Sequence, residues 1–187
     1  MQFLKSFFTF SWDIIKVAAI ALVLAGLVRY FLVQPFFVEG ASMEPNFEDG
    51  EYLLIDEISY YFKSPQRGEV IVFHYPLDAS KYYIKRVIGL PNETVEIKNG
   101  GVVIYNDGNP DGFFIDENYL PKEGITAGNV KKKLGRNEYF VLGDNRPVSL
   151  DSRFWGAVPR RLIKGRALIR LLPLARIGIL PGNQSGL

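Results

Sequence analysis

Two side chains in this 187-residue sequence could together perform acyl transfer, Ser42 and Lys85. Ser42 stands in Gly40-Ala41-Ser42-Met43-Glu44-Pro45, a tight segment with a glycine two residues before the hydroxyl and a proline three after. A serine hydroxyl is a weak nucleophile until a neighbour takes its proton. Histidine is the usual acceptor, but the one histidine, His74, is followed by Tyr75-Pro76 and has no orienting partner near it; it reads as a strand-end residue. Lysine can serve if its pKa falls toward neutrality, and apolar burial lowers it by disfavouring the ammonium. Lys85 fits, lying among Tyr82, Tyr83, Ile84, Val87 and Ile88. In a strand Arg86 would point to the opposite face. On local sequence alone two readings stand: a lysine buried for chemistry, or a solvent-facing edge marked by Lys85 and Arg86. Ser42 by itself could equally be an ordinary loop serine.

Gly40 would let the backbone approach a substrate closely. With the Ser42 N–H it makes the candidate oxyanion site, where backbone donors meet developing charge. A third polar stretch follows an apolar one: Gly143-Asp144-Asn145-Arg146-Pro147-Val148-Ser149-Leu150-Asp151-Ser152-Arg153. It could be turn chemistry. It could also be a support whose hydroxyls and ion pairs orient a catalytic amine, with Asp151 and Arg153 paired. The absence of cysteine excludes disulfides, thiolate metal sites and a cysteine nucleophile. One histidine excludes a multi-histidine metal centre. No metal or organic cofactor is expected.

These residues need elements to hold them. From Ile14 to Val33 the chain is apolar apart from Lys16 and Arg29, long enough as a helix to cross a hydrocarbon core of about 30 Å. Trp12, Tyr30 and Phe31 suit the two interfaces. A cleaved signal peptide is the rival, yet no small-x-small pattern follows, only Arg29 and bulky aromatics. Lys5 before the span and Lys16 near its start place the N-terminus in the cytoplasm and the rest outside. Residues 1–34 are thus expected to form a cytoplasmic tail and membrane anchor, and 35–187 an extracytoplasmic β-rich domain. Pro35 ends the helix, and Phe36-Phe37-Val38 is a short strand. Tyr52–Ile55, Val70–Tyr75, Tyr82–Leu90, Tyr139–Leu142 and Ala167–Leu172 are rich in β-branched and aromatic residues. Thr94–Lys98 alternates, and Asn99-Gly100-Gly101 turns it into Val102–Tyr105. Residues 106–136, rich in Asp, Asn, Gly, Pro and Lys, predict a surface excursion with little regular structure, and Lys131-Lys132-Lys133 a solvated run. The chain from Pro181 is expected to fray.

Charge is segregated although the net is only +2. Seven acids and no base lie between Glu39 and Glu57; seven bases and no acid follow Asp151. Arg160, Arg161, Lys164, Arg166 and Arg170 could face anionic lipid or form a solvated edge. Nucleic-acid binding is disfavoured, because Leu and Ile rather than stacking aromatics separate the bases.

Taken in order, the apolar N-terminus, Gly40–Pro45, Arg67-Gly68-Glu69-Val70, Tyr83–Pro91 and Gly143–Arg153 with Phe154-Trp155-Gly156 resemble the bacterial type I signal peptidases. The resemblance implies a mainly β fold of coiled antiparallel sheets on one N-terminal transmembrane helix. It implies Ser42 as nucleophile, Lys85 as general base and Ser149 as hydrogen-bond partner of the lysine amine. Asp144, Asn145, Arg146, Asp151 and Arg153 would brace the loop. Phe36, Val38, Tyr83 and Ile84 would shape apolar pockets for small substrate side chains at −1 and −3. Partners implied are the signal peptides of preproteins exported through the translocon and the lipid bilayer, with the enzyme a monomer in the cell membrane. Gly40, as in many Gram-positive-type enzymes, stands where some members carry a serine donor, and Pro147-Val148 departs from the polar residues that many relatives have there. A related Ser–Lys peptidase for another membrane-delivered substrate, such as a pilin, and a non-enzymatic membrane-anchored β module are the rival readings.

Overall fold

The computed structural model describes residues 2–31, 33–121 and 125–183, and side chains at 10–23, 26, 34–121 and 125–183. A 30-residue helix, α1 (Gln2–Phe31), opens the chain, and most of the regular structure described after it is strand. Among the described residues no helix is long and apolar enough to cross a membrane. The span 14–33 read from sequence falls partly outside them, as do the side chains of Lys5, Arg29, Tyr30 and Phe31.

The strands form two sheets with every ladder antiparallel. The larger contains β1 (Val33–Phe37), β2 (Tyr52–Asp56), β3 (Val70–Tyr75), β4 (Asp78–Gly89), β9 (Glu138–Leu142), β10 (Val158–Pro159), β11 (Ile163–Leu172) and β12 (Gly178–Ile179). Its order is β1-β2-β11-β3-β4-β9-β10, with β12 beside β11. The smaller runs β7-β6-β5-β8, from β5 (Thr94–Lys98), β6 (Gly101–Asn106), β7 (Asn109–Phe114) and β8 (Val130–Lys133). Two one-turn helices, α2 (Ser59–Phe62) and α3 (Ser152–Trp155), fill corners.

Sequence pattern explains most of these choices. The unbroken apolar run Val70–Phe73 is buried in the middle of the large sheet. In β5, Val95 and Ile97 are buried while Glu96 and Lys98 are not, as period-two alternation requires. Asn99 and Gly100 both have positive φ, the backbone a two-residue hairpin turn demands. Pro35 is tolerated within β1 because an edge strand has one side free of ladder bonds. Strands β4 and β11 each begin four residues before the predicted starts, since the 75–78 hairpin and the pairing with β3 extend them over polar residues.

Residues 106–136 are more regular than their composition suggests. They supply β7 and β8 to the smaller sheet, and Ile115, Tyr119, Thr126 and Leu134 are buried. Main-chain pairing at a sheet edge does not need an apolar side-chain pattern, so composition misses it. Lys131 stays exposed and pairs with Glu96. The chain from Pro181, predicted to fray, packs Gly182 against the Phe47 ring and offers its carbonyl to Arg86; residues 184–187 lie outside those described.

The segregated charges meet because β11 lies beside β2. Lys164 pairs with Glu57 (2.8 Å), Arg166 with Asp56 (3.0 Å) and Glu69 (3.2 Å), and Arg170 with Glu51 (2.7 Å). Arg176 reaches Glu48 and Glu51, and Arg160 donates to the Tyr60 carbonyl. Of the two readings of this basic stretch, lipid-facing or solvated edge, neither describes these cations, which serve the fold's own carboxylates and carbonyl; Arg161 remains exposed.

Candidate active site

Ser42 is carried on the segment between β1 and β2, which is fastened from below. Met43 and Phe47 are fully buried in a core cluster with Val38, Leu53, Val70, Val72 and Ile84. Full burial of such a side chain contributes about 1.5–3 kcal/mol. From above, the Asn145 N–H donates to the Ser42 carbonyl at 3.1 Å. Asn46 donates to Asp144 (2.9 Å) and to the Tyr119 carbonyl (3.0 Å). Asn46, Glu117 and Tyr119 gave no signal in the sequence, because their partners lie tens of residues away.

Lys85 comes from β4, paired on one side with β3 and on the other with β9. Its residue is 4% exposed, and Nζ lies 2.6 Å from Ser42 Oγ and donates to the Ile84 carbonyl at 2.8 Å. Burial pushes the Lys85 amine down to about 8, opposed by the nearby carboxylates of Asp151 and Asp144. Arg86 turns the other way but not into solvent. It is buried, pairs with Asp144 through two nitrogens (2.8 and 2.5 Å), donates to the Gly68 carbonyl and stacks 4.1 Å from the Tyr119 ring.

The loop after β9 is braced as expected. Asp151 accepts from Arg153 Nε at 2.8 Å and Nη2 at 2.9 Å, and from the Gly143 N–H at 3.1 Å. Arg146 is buried against Glu117 (2.5 and 3.1 Å), Tyr119 Oη (2.9 Å), Thr126 and the Gly143 carbonyl. Ser149 departs from expectation. Its Oγ is buried beside Gly143 and has no hydrogen-bond partner among the described residues, while the Lys85 amine is bonded to Ser42 and Ile84.

A cleft of about 710 Å³ opens over Ser42 and Lys85. Phe36, Tyr83 and Ile84 line it, with Phe37, Tyr82, Lys81, Val148 and Leu150 in addition. Val38 does not; it is buried in the core beneath, its main chain bonded to Glu51 and Gly50. His74 lies at the far end of β3 against Tyr82, its Nδ1 2.7 Å from the Ala79 carbonyl.

Gly40 has φ +84°, and its N–H donates to Asp49 at 2.7 Å. That amide is therefore engaged and is not an oxyanion donor, which corrects its assignment. The Ser42 N–H makes no hydrogen bond among the described residues. A Cβ on Gly40 would meet nothing within 4 Å, so only the backbone resists one. Gly40→Ala is expected to destabilise the fold by about 1–2 kcal/mol, the penalty of left-handed geometry for an L-residue. An unchanged urea midpoint would contradict this.

The geometry offers a hydroxyl, an adjacent buried amine poised near neutrality, a free backbone donor and an apolar trough. That set can open an amide or ester bond through a covalent acyl intermediate. A family model described as signal peptidase, peptidase S26, matches residues 11–172. Similar curated proteins include a probable signal peptidase I-1 from Synechocystis sp., 39% identical, covering 89% of this chain and 87% of that protein. A signal peptidase I from Leptolyngbya laminosa is 40% identical (88% and 81% covered) and signal peptidase IB from Staphylococcus aureus 33% (84% and 87% covered). A crystal structure of a signal peptidase I from Enterococcus faecalis V583 aligns with TM-score 0.47 and 32% identity, over 56% of this chain and 97% of that one.

Proposed function

The chain belongs to the signal peptidase family, peptidase S26, serine peptidases that remove signal peptides, and from that premise we propose that Ser42 and Lys85 carry its reaction. The observation behind this is the 2.6 Å approach of a buried lysine amine to the Ser42 hydroxyl. Neutral Lys85 takes the Ser42 proton as Oγ attacks the scissile carbonyl carbon. The oxyanion forms against the Ser42 N–H. The Lys85 ammonium then protonates the departing amine, leaving an acyl-enzyme that a Lys85-activated water hydrolyses. The Ile84 carbonyl holds one amine hydrogen and so aims the lone pair. Phe36, Tyr83 and Ile84 contact the acyl side of the substrate and suit small residues at −1 and −3.

The anchor reading is supported by α1. Phe10, Trp12, Ile14, Ile15, Val17, Ile20, Leu22 and Val23 are all more than half exposed, a surface that water solvates poorly and lipid well. At 1.5 Å per residue the helix exceeds a hydrocarbon core of about 30 Å. It holds the peptidase domain on the extracytoplasmic face, with the N-terminus cytoplasmic.

The pH dependence follows from the amine. Below its pKa Lys85 carries a proton and cannot accept another, so kcat/KM for preprotein cleavage is expected to rise with pH and level off above about 8. A profile flat from about pH 6.5 to about pH 9.5 would remove lysine from the base's role.

A further inference from the structure

The cleft has a second apolar wall with no occupant in the reading above. Val148 and Leu150 are 61% and 45% exposed and line it together with Ser42, Tyr83 and Lys85. Neither joins a core cluster, so neither is held there by packing of the fold. Their neighbours in the loop are otherwise glycine, proline and polar residues.

The wall is rigid. Arg153 Nη2 donates to the carbonyls of Arg146 (2.7 Å) and Ser149 (3.2 Å), on both sides of Pro147 and Val148. The Ser149 N–H donates to the Asn145 carbonyl at 3.0 Å, and the Asn145 N–H holds the Ser42 carbonyl. Two branched side chains are thus presented at fixed positions beside the nucleophile. Little conformational entropy is left to lose when a ligand covers them.

The cleft has a direction. At Phe36 and Tyr82 it adjoins a second hollow lined by Gln34 and Pro35 of β1, the strand that continues from α1. A substrate whose apolar N-terminal segment sits in the bilayer beside α1 enters from that end, placing its acyl side along β1 and β4. Val148 and Leu150 take no part in that hollow.

We propose that Val148 and Leu150 form a leaving-side subsite that receives the first residues of the mature chain and favours an apolar side chain there. This rests on the assignment of Ser42 as nucleophile. An aliphatic residue just after the scissile bond covers the exposed faces of both side chains. A carboxylate in the same place loses water against an apolar wall and leaves the exposed faces of Val148 and Leu150 uncovered.

The test is a competition with the full-length chain in detergent micelles. Preproteins identical except for Leu, Ser or Asp at the first position after the scissile bond are cleaved in one mixture, and product ratios are read by mass spectrometry. The wild type is expected to favour Leu over Asp by roughly 10-fold, the scale on which apolar contacts discriminate. For the Val148→Ser/Leu150→Ser variant the ratio should fall below about threefold. Because the ratio is internal to each sample, a variant that folds incompletely still reports on its active fraction. A wild type indifferent to this position overturns the proposal, as does a variant that keeps the Leu preference. If the wild type cuts no member of the panel, the assignment of function fails and the subsite with it.

Discussion

Lys85→Met should lower preprotein cleavage by about 10³–10⁴-fold or more, and Ser42→Ala should do the same. A positioned general base contributes roughly 10²–10⁴, and here the same amine serves both acylation and hydrolysis. The double variant should be no worse than either single one, because the two groups act as a unit. Lys85→Met separates chemistry from folding. Methionine fills the same space beside Ser42 and Tyr83 without asking a buried site to hold a charge, so the thermal midpoint should stay level or rise. Residual activity within tenfold of wild type in Lys85→Met would end the dyad reading, whatever the midpoint did.

The second large effect concerns stability. Asp144→Ala leaves the fully buried Arg86 guanidinium without its carboxylate and removes an acceptor from Asn46. Breaking one side of a buried ion pair costs about 3–5 kcal/mol, because the remaining charge stays desolvated. For a domain of this size that is a fall of about 10 °C or more in thermal midpoint. The loss should also reach activity, since Asp144 and Asn145 are neighbours and the Asn145 N–H fixes the Ser42 carbonyl. Calorimetry of the purified variant settles it; a midpoint within a degree or two of wild type would show that Arg86 is satisfied by carbonyls alone.

Single residues left the site open: with no cysteine and one poorly placed histidine, Lys85 among apolar neighbours was a possible base for Ser42 or an ordinary strand edge, and the order of five segments resembling one family is what singled the pair out. The strands of the surrounding fold were plainer, because Val70–Tyr75 and Thr94–Lys98 have the side-chain pattern of a buried and a half-buried strand. What stayed hidden depends on closure in three dimensions. Arg86 was assigned correctly to the face opposite Lys85, but that face is covered by Tyr119 and Gly182, residues remote in sequence. Val38 was given to the cleft by the family resemblance, whereas the departure from β1 after Phe37 turns it into the core. Ser149 was given a bond to the lysine that the Ile84 carbonyl makes in its place. Residues 106–136 looked loop-like because β7 and β8 pair through backbone while showing solvent mostly polar side chains.

The position of β11 fixes the order in which the large sheet can be completed. One half of that sheet, β1 and β2, carries the Phe36 wall; the other, β3 and β4, carries Lys85; β11, the last of these in the chain, is the strand between them. A chain without residues 163–172 in place lacks the piece that brings those halves into register. The two walls of the cleft are thus joined within one sheet only by a strand that follows both of them in the sequence.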